Sequence, residues 1–262
     1  MAPLLQHRNR GAQVLQACGD GASSIFYLSP LSAAAMAVAP ARGGVPVLFP
    51  QFADRGLLPK HGLVRTANWE LLDEQVLQGS HSLRYLLDIE PDDYPAWPHA
   101  ARLILTVATS PAGLTFKLHV TNTGNRPFTW TGGLHPYFAV QDVLQSRLSG
   151  LAGLSVQDRY DPAMLSQPQG DLQWSLQPFE RLYDACPPLR LDTGNCSLRL
   201  CATGFDQWMI WNPGQVDGGA LADLPKGDWQ RFICVEPVCV DRPVVLAPGA
   251  NFVGSLSIAI CK

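Results

Sequence analysis

The chain has 262 residues, 47% of them hydrophobic and 16% charged, with a formal net charge of -3. That length buries a sizeable core as one large all-β domain or two smaller units, and the composition excludes a disordered chain. The lack of basic excess excludes a general nucleic-acid binder, which must neutralise phosphates along a strand, although one small phosphate pocket stays compatible with it. No apolar run reaches membrane-spanning length, and the residues up to Cys18 lack the continuous apolar core of a secretory signal. No membrane partner is expected. The seven cysteines, Cys18, Cys186, Cys196, Cys201, Cys234, Cys239 and Cys261, show no Cys-x-x-Cys spacing. They read as buried small hydrophobes in a reducing cytoplasm rather than as a disulfide framework or a zinc site.

Taken in chain order, short alternating segments predict strands at 13–17 and 24–28. The Ala-rich stretch 31–38, closed by Pro40, reads as a small-residue strand packed in a core. Further strands are predicted at 69–76, 83–89 and 102–108. Leu114, Phe116, Leu118 and Val120 then face one way, with Thr115, Lys117 and His119 facing the other, before a turn at 122–125. Strands follow at 128–132, 197–201 and 207–211. The apolar run 231–240 reads as a buried strand, and Phe252, Leu256, Ile258 and Ile260 share one face of the last, with Gly254 in register. No helical apolar period persists beyond about two turns. The pattern is all-β and antiparallel, punctuated by 22 prolines and 23 glycines, and it predicts one large β-sandwich over residues 1–262. The Pro-rich stretches at 91–98 and at Pro187-Pro188 read as ordered loops.

Glu236 stands out because it lies inside the apolar run 231–240. Burying an unpaired carboxylate costs several kcal/mol or drives its pKa up, and a carboxylate so raised in a cleft is a general base near neutral pH. The alternative is an edge residue pointing to solvent. His135, between two glycines and two aromatics at the mouth of a strand, can exchange a proton near pH 7 or simply brace a carbonyl. His61 and Arg65 share a Gly/Pro-rich loop with Lys60 and Arg55, a pattern that suits an anion pocket. Arg42 precedes Gly43-Gly44, where backbone can turn tightly and approach a ligand. Two arginines from separate loops can hold a phosphate with forked hydrogen bonds, whereas either alone is most often a surface ion pair. Asp206 precedes an aromatic strand ending at Asn212, a setting suited to a sugar ring, while Trp208 and Trp211 read equally as core or ligand wall. Gln51 and Asp184 are weaker candidates of the same kind. There is no His-Glu-x-x-His, Gly-x-Ser-x-Gly, Gly-x-Gly-x-x-Gly or Walker spacing. No metal or cofactor is expected.

Several motifs occur in a fixed order: Arg42-Gly-Gly-x-Pro with Phe49-Pro, His61-Gly-x-x-Arg65, and Leu134-His-x-Tyr-Phe138. Then come Asp206 before a Trp-Asn-Pro strand, Val235-Glu236, and Leu246-Ala-Pro-Gly249. Together they resemble the aldose 1-epimerase superfamily, most closely its hexose-6-phosphate mutarotase branch, over nearly the whole chain. The resemblance implies a β-supersandwich with an open cleft, in which a carboxylate and an imidazole flank the hemiacetal of a pyranose. Glu236 then corresponds to the base that takes the C1 hydroxyl proton and His135 to the acid that protonates the ring oxygen. His61 corresponds to a second cleft histidine, Asp206 to the carboxylate that holds sugar hydroxyls, and Arg42 and Arg65 to the phosphate ligands. Gln51 belongs to the same expected binding set. The implied activity is cofactor-independent anomer exchange on a hexose 6-phosphate, glucose 6-phosphate first, by a monomer. Two alternatives stay open: a mutarotase for unphosphorylated aldoses, and a carbohydrate-binding module without turnover. The chain departs from the branch at Leu63-Val64, at Pro136, and at the glycine-rich stretch 214–219 after Trp211-Asn-Pro213, which leaves the sugar's identity open.

Overall fold

The computed structural model describes residues 4–18, 24–32, 40–77 and 79–261. The predicted Ala-rich strand lies almost wholly outside them. Two-residue alternation dominates the described chain, and its consequence is two large antiparallel sheets. The first has eight strands in the spatial order Arg147–Ser149, Leu189–Asp192, Ser197–Thr203, Asn251–Cys261, Gly113–Asn122, Ala101–Ser110, Ser80–Ile89 and Glu70–Leu77. The second has seven: Val156–Asp158, Phe179–Tyr183, Gln207–Asn212, Phe232–Leu246, Phe128–Leu134 and Val47–Leu48, with Tyr137–Ala139 also paired to Phe232–Leu246. A small hairpin of Leu4–Arg8 and Gln13–Cys18 stands beside them.

The two sheets bury their facing sides against each other. Leu103, Leu105 and Val107, and opposite them Leu114, Phe116, Leu118 and Val120, are fully buried on the eight-stranded sheet. From the other sheet come Trp130, Trp208, Ile210, Ile233 and Val235. Trp130 meets Phe252 edge-on across the interface, with ring centroids 5.0 Å apart. Burial of this kind is worth about 25 cal/mol per Å² of apolar surface, so the interface supplies the dominant favourable contribution to the fold.

The seven-stranded sheet differs from its partner in having a half-covered outer face as well. Because successive residues alternate, Val235 points to the core and Glu236 points away from it. Leu48, Phe52, Leu182, Met209, Val238 and Val240 form a second, smaller apolar cluster on that outer side. Glu236 sits within this surface, directly opposite Met209 on the next strand.

Most predicted strands are present with ends shifted by a few residues. Residues 24–28 instead make only isolated bridges at Phe26 and Leu28, because their backbone is shared among the hairpin, Tyr137 and the Arg42 segment. Short strands at Val156–Asp158, Phe179–Tyr183 and Leu189–Asp192 were not predicted, each being too short to show an alternation. The glycine-rich stretch after Pro213 forms a helix, Gly214–Ala220, which the glycine content hid from the sequence reading. Gly218 is required there: a Cβ would lie 2.7 Å from that of Trp229.

Candidate active site

A cavity of about 460 Å³ opens on the outer face of the seven-stranded sheet, and Glu236 and His135 both line it. Glu236 is 1% exposed, which excludes the solvent-edge reading, and it lies on a strand paired on both sides. His135 follows Gly133, which pairs with Val238 and with Leu48. A Cβ on Gly133 would stand 2.2 Å from the Pro237 carbonyl oxygen, so glycine is what lets these strands meet and brings the histidine beside the glutamate. The His135 amide donates to the Pro46 carbonyl, and its ring stacks on Tyr137 at 4.8 Å. His135 Nε2 is 3.4 Å from Glu236 Oε1.

The remaining polar atoms of this pair, His135 Nδ1 and Glu236 Oε2, are buried without a hydrogen-bond partner among the described residues. Leaving a buried polar group unpaired costs about 1–3 kcal/mol, so the arrangement is one that a polar ligand completes. Burial, with the Glu180 carboxylate adding to it, pushes the Glu236 pKa well up. Burial also pushes His135 well down, helped by His61, Arg42 and Arg65. Both shifts favour the neutral acid and the neutral imidazole. The pair therefore holds one proton that either partner can carry.

His61 lines the same cavity, its ring centroid 5.4 Å from that of His135. Its backbone is left-handed, at φ 65°, in a loop closed by reciprocal bonds: the His61 amide donates to the Ala53 carbonyl, and the Ala53 amide donates to His61 Nδ1. That second bond leaves the ring proton on Nε2. Burial and the nearby Arg65, Lys60 and Arg42 push the imidazole down to about 3, so it is a neutral donor rather than a cation.

Arg42, Lys60 and Arg65 supply positive charge at one side of the cavity. Burial works against the Arg42 charge, but Tyr137 and Asp223 outweigh it and hold the guanidinium above its ordinary pKa. Arg42 Nε and Nη2 donate to Asp223, and Nη1 donates to the Tyr137 hydroxyl at 3.3 Å. Gly43 and Gly44 serve a purpose other than the expected approach to a ligand. A Cβ on either would lie 2.2 Å from the carbonyl oxygen of Tyr27 or Val14, so the glycines pack backbone on backbone and thereby aim Arg42. Arg65 makes no ion pair or side-chain hydrogen bond among the described residues, and burial lowers its pKa.

Three candidate ligands of the sugar, Asp206, Asp184 and Gln51, are not among the residues that line this cavity. Asp206 is bonded to Arg242 Nε at 2.5 Å, and Asp184 is held by the same guanidinium. The strand that follows Asp206 places Met209, not the aspartate, beside Glu236. Gln51 is turned into its own loop, donating to the Ala53 and Leu58 carbonyls and accepting from the Leu58 amide. The two tryptophans divide: Trp208 is core and Trp211 lines the cavity. Leu63 and Val64 are buried away from it. Conversely, the sequence reading missed Glu180, Asp217 and Asp223. Glu180 pairs with Trp211 across the sheet and is bonded to Arg159 at 2.9 Å.

The fold is shared with solved structures described as galactose mutarotase-like proteins, one of them from Lactobacillus casei, which matches with a TM-score of 0.77 at 15% identity over 99% of this chain and 97% of that one. A crystal structure from Salmonella typhimurium, described as a "putative mutarotase", matches the fold with a TM-score of 0.82 at 22% identity, covering 99% of this chain and 88% of that one. The profile of the aldose 1-epimerase family matches residues 6–259, and the chain belongs to that family. Among curated relatives, a protein of Cenchrus ciliaris named "Putative glucose-6-phosphate 1-epimerase" is 28% identical over 260 residues, 95% of this chain and 79% of its own length. One of the same name from Salmonella typhimurium strain LT2 is 28% identical over 244 residues, 89% of this chain and 79% of its own.

Proposed function

We propose that the protein interconverts the α and β anomers of a hexose 6-phosphate, glucose 6-phosphate being the first candidate, by acid–base ring opening and reclosure. The observation that carries this reading is the buried Glu236–His135 pair, short of hydrogen-bond partners, at the floor of a cavity rimmed by Arg42, Lys60 and Arg65. Glu236 takes the proton of the C1 hydroxyl while His135 gives one to the ring oxygen, so the C1–O5 bond breaks to the aldehyde. Rotation about C1–C2 and the reverse transfers close the ring as the other anomer. The enzyme starts and ends with the same single proton on the pair, and each positioned transfer is worth about 10²- to 10⁴-fold.

His61 Nε2–H orients a sugar oxygen, and Trp211 gives the ring an apolar wall. Glu180 with Arg159 takes the hydroxyl-binding part that the sequence reading had assigned to Asp206 and Gln51. Arg65 and Arg42, with Lys60, take the phosphate. A dianion there offsets the positive field that depresses His135, which makes the imidazolium form easier to reach with substrate bound. The reading extends to a monomer resident in the cytoplasm, a location in keeping with seven free cysteines.

The test is anomer exchange followed by NMR on glucose 6-phosphate and on glucose. Acceleration confined to the phosphorylated sugar, and weakened about 10- to 100-fold in kcat/KM in Arg65→Ala, is expected. Equal acceleration of both sugars by wild type and variant would reject the phosphate assignment and favour a mutarotase of free aldoses. Saturable binding without acceleration would reject catalysis.

A further inference from the structure

Among the described residues, two groups bring three potential metal ligands within 4.8 Å of one another: His7, Glu74 and His81, and His135, Cys234 and Glu236. An imidazole nitrogen binds a cation only through a free lone pair, so the tautomer decides whether such a group is usable. At His81 the Leu5 amide donates to Nδ1, which puts the ring proton on Nε2, the atom facing Glu74. That group is closed to a metal. At His135 nothing among the described residues fixes the tautomer through Nδ1, which has no partner there. With the proton on Nδ1, the Nε2 lone pair faces Glu236 Oε1 across 3.4 Å. Tetrahedral zinc, with nitrogen and oxygen ligands at about 2.0–2.1 Å, holds adjacent donors roughly 3.3–3.4 Å apart. The separation observed fits that edge. Cys234 lies two residues before Glu236 on the same strand, hence on the same face, and supplies a thiol as third donor. The cavity leaves the fourth position to water or a sugar oxygen. Binding releases two protons to solvent, that of the thiol and the one held by the Glu236–His135 pair, and the thiolate with the carboxylate then cancels a double positive charge. That cancellation matters beside Arg42 and Arg65.

We propose that His135, Cys234 and Glu236 form an inhibitory site for a thiophilic divalent cation of the zinc class, which occupies the acid–base pair and keeps the sugar out. Inhibition rests on the acid–base reading given above; binding does not. Cobalt(II) titrated into the protein is the direct probe, since a thiolate ligand gives a charge-transfer band in the near ultraviolet. A band at one equivalent, displaced by zinc and lost in Cys234→Ser and in His135→Asn, is expected. Zinc is also expected to inhibit anomer exchange competitively with the sugar phosphate, with Cys234→Ser raising the half-inhibitory concentration roughly 100-fold. Cys234→Ala repeats both measurements should a buried serine hydroxyl weaken the strand. Absence of the band, or its survival in both Cys234 variants, would overturn the site. Zinc inhibition unchanged in those variants would overturn the regulation. A cobalt band in a protein that does not accelerate anomer exchange would uphold the metal site while sinking the acid–base reading.

Discussion

Two histidine–glutamate groups in this chain use the same residue types to opposite ends. In the first, His7 and His81 both reach Glu74 Oε1, at 3.1 and 3.0 Å, while their other nitrogens meet the Tyr85 hydroxyl and the Leu5 amide. Every ring nitrogen is engaged, and the N-terminal strand is thereby tied to the edge of the eight-stranded sheet. In the second, His135 and Glu236 reach each other and leave Nδ1 and Oε2 without partners among the described residues. A saturated cluster spends its hydrogen-bonding capacity on the fold; an unsaturated one keeps it for a ligand. Residue type alone does not separate them.

The sharpest way to break this contrast is Glu236→Gln, which keeps shape and removes the base. A loss of about 10²- to 10⁴-fold in kcat with KM nearly unchanged is expected from steady-state anomer exchange. The same variant is expected to be more stable than wild type. The folded-state pKa of Glu236 lies above its ordinary 4.5, so ionising it penalises the native state as pH rises past that value. The gain in melting temperature should therefore be absent in acid and grow toward neutral pH. His135→Asn should lower kcat by a similar factor, and a change confined to KM would make His135 a binding residue.

A pH profile of kcat/KM sharpens the comparison further. Activity requires one proton on the pair, so it falls when a second is added or the last is lost. With His135 depressed, the acid limb should lie below the ordinary imidazole value of 6.5; with Glu236 raised, the alkaline limb should lie above the ordinary carboxylate value of 4.5. Next in size, Arg65→Ala should cost about 10- to 100-fold in kcat/KM on the phosphorylated sugar, the worth of charge-assisted hydrogen bonds at about 1.5–3 kcal/mol. The smallest effect belongs to the other cluster. His81→Ala should lower stability by about 1–2 kcal/mol, or roughly 2–8 °C in melting temperature, and leave turnover unchanged.

How much of this was legible beforehand depends on the range of the signal. Alternation announced the long strands, and an acidic residue inside an apolar run announced Glu236, because both are local. The register of the Gln207–Asn212 strand was not local. Only pairing with Phe232–Leu246 decides that Met209 faces Glu236 while Asp206 falls beyond the strand and meets Arg242. Gln51 was misjudged for a similar reason: its partners are carbonyls of a loop whose path composition does not specify. Glu180 lay in a five-residue strand too short to show its period. Asp223 acquires meaning only when a loop 181 residues after Arg42 closes on it.

The most direct test is the rate of glucose 6-phosphate anomer exchange, measured by NMR magnetisation transfer with wild type and Glu236→Gln at equal concentration. Strong acceleration by wild type, with near-spontaneous exchange but retained sugar binding in the variant, is the expected result. A folded Glu236→Gln protein that exchanges the anomers as fast as wild type would contradict the account.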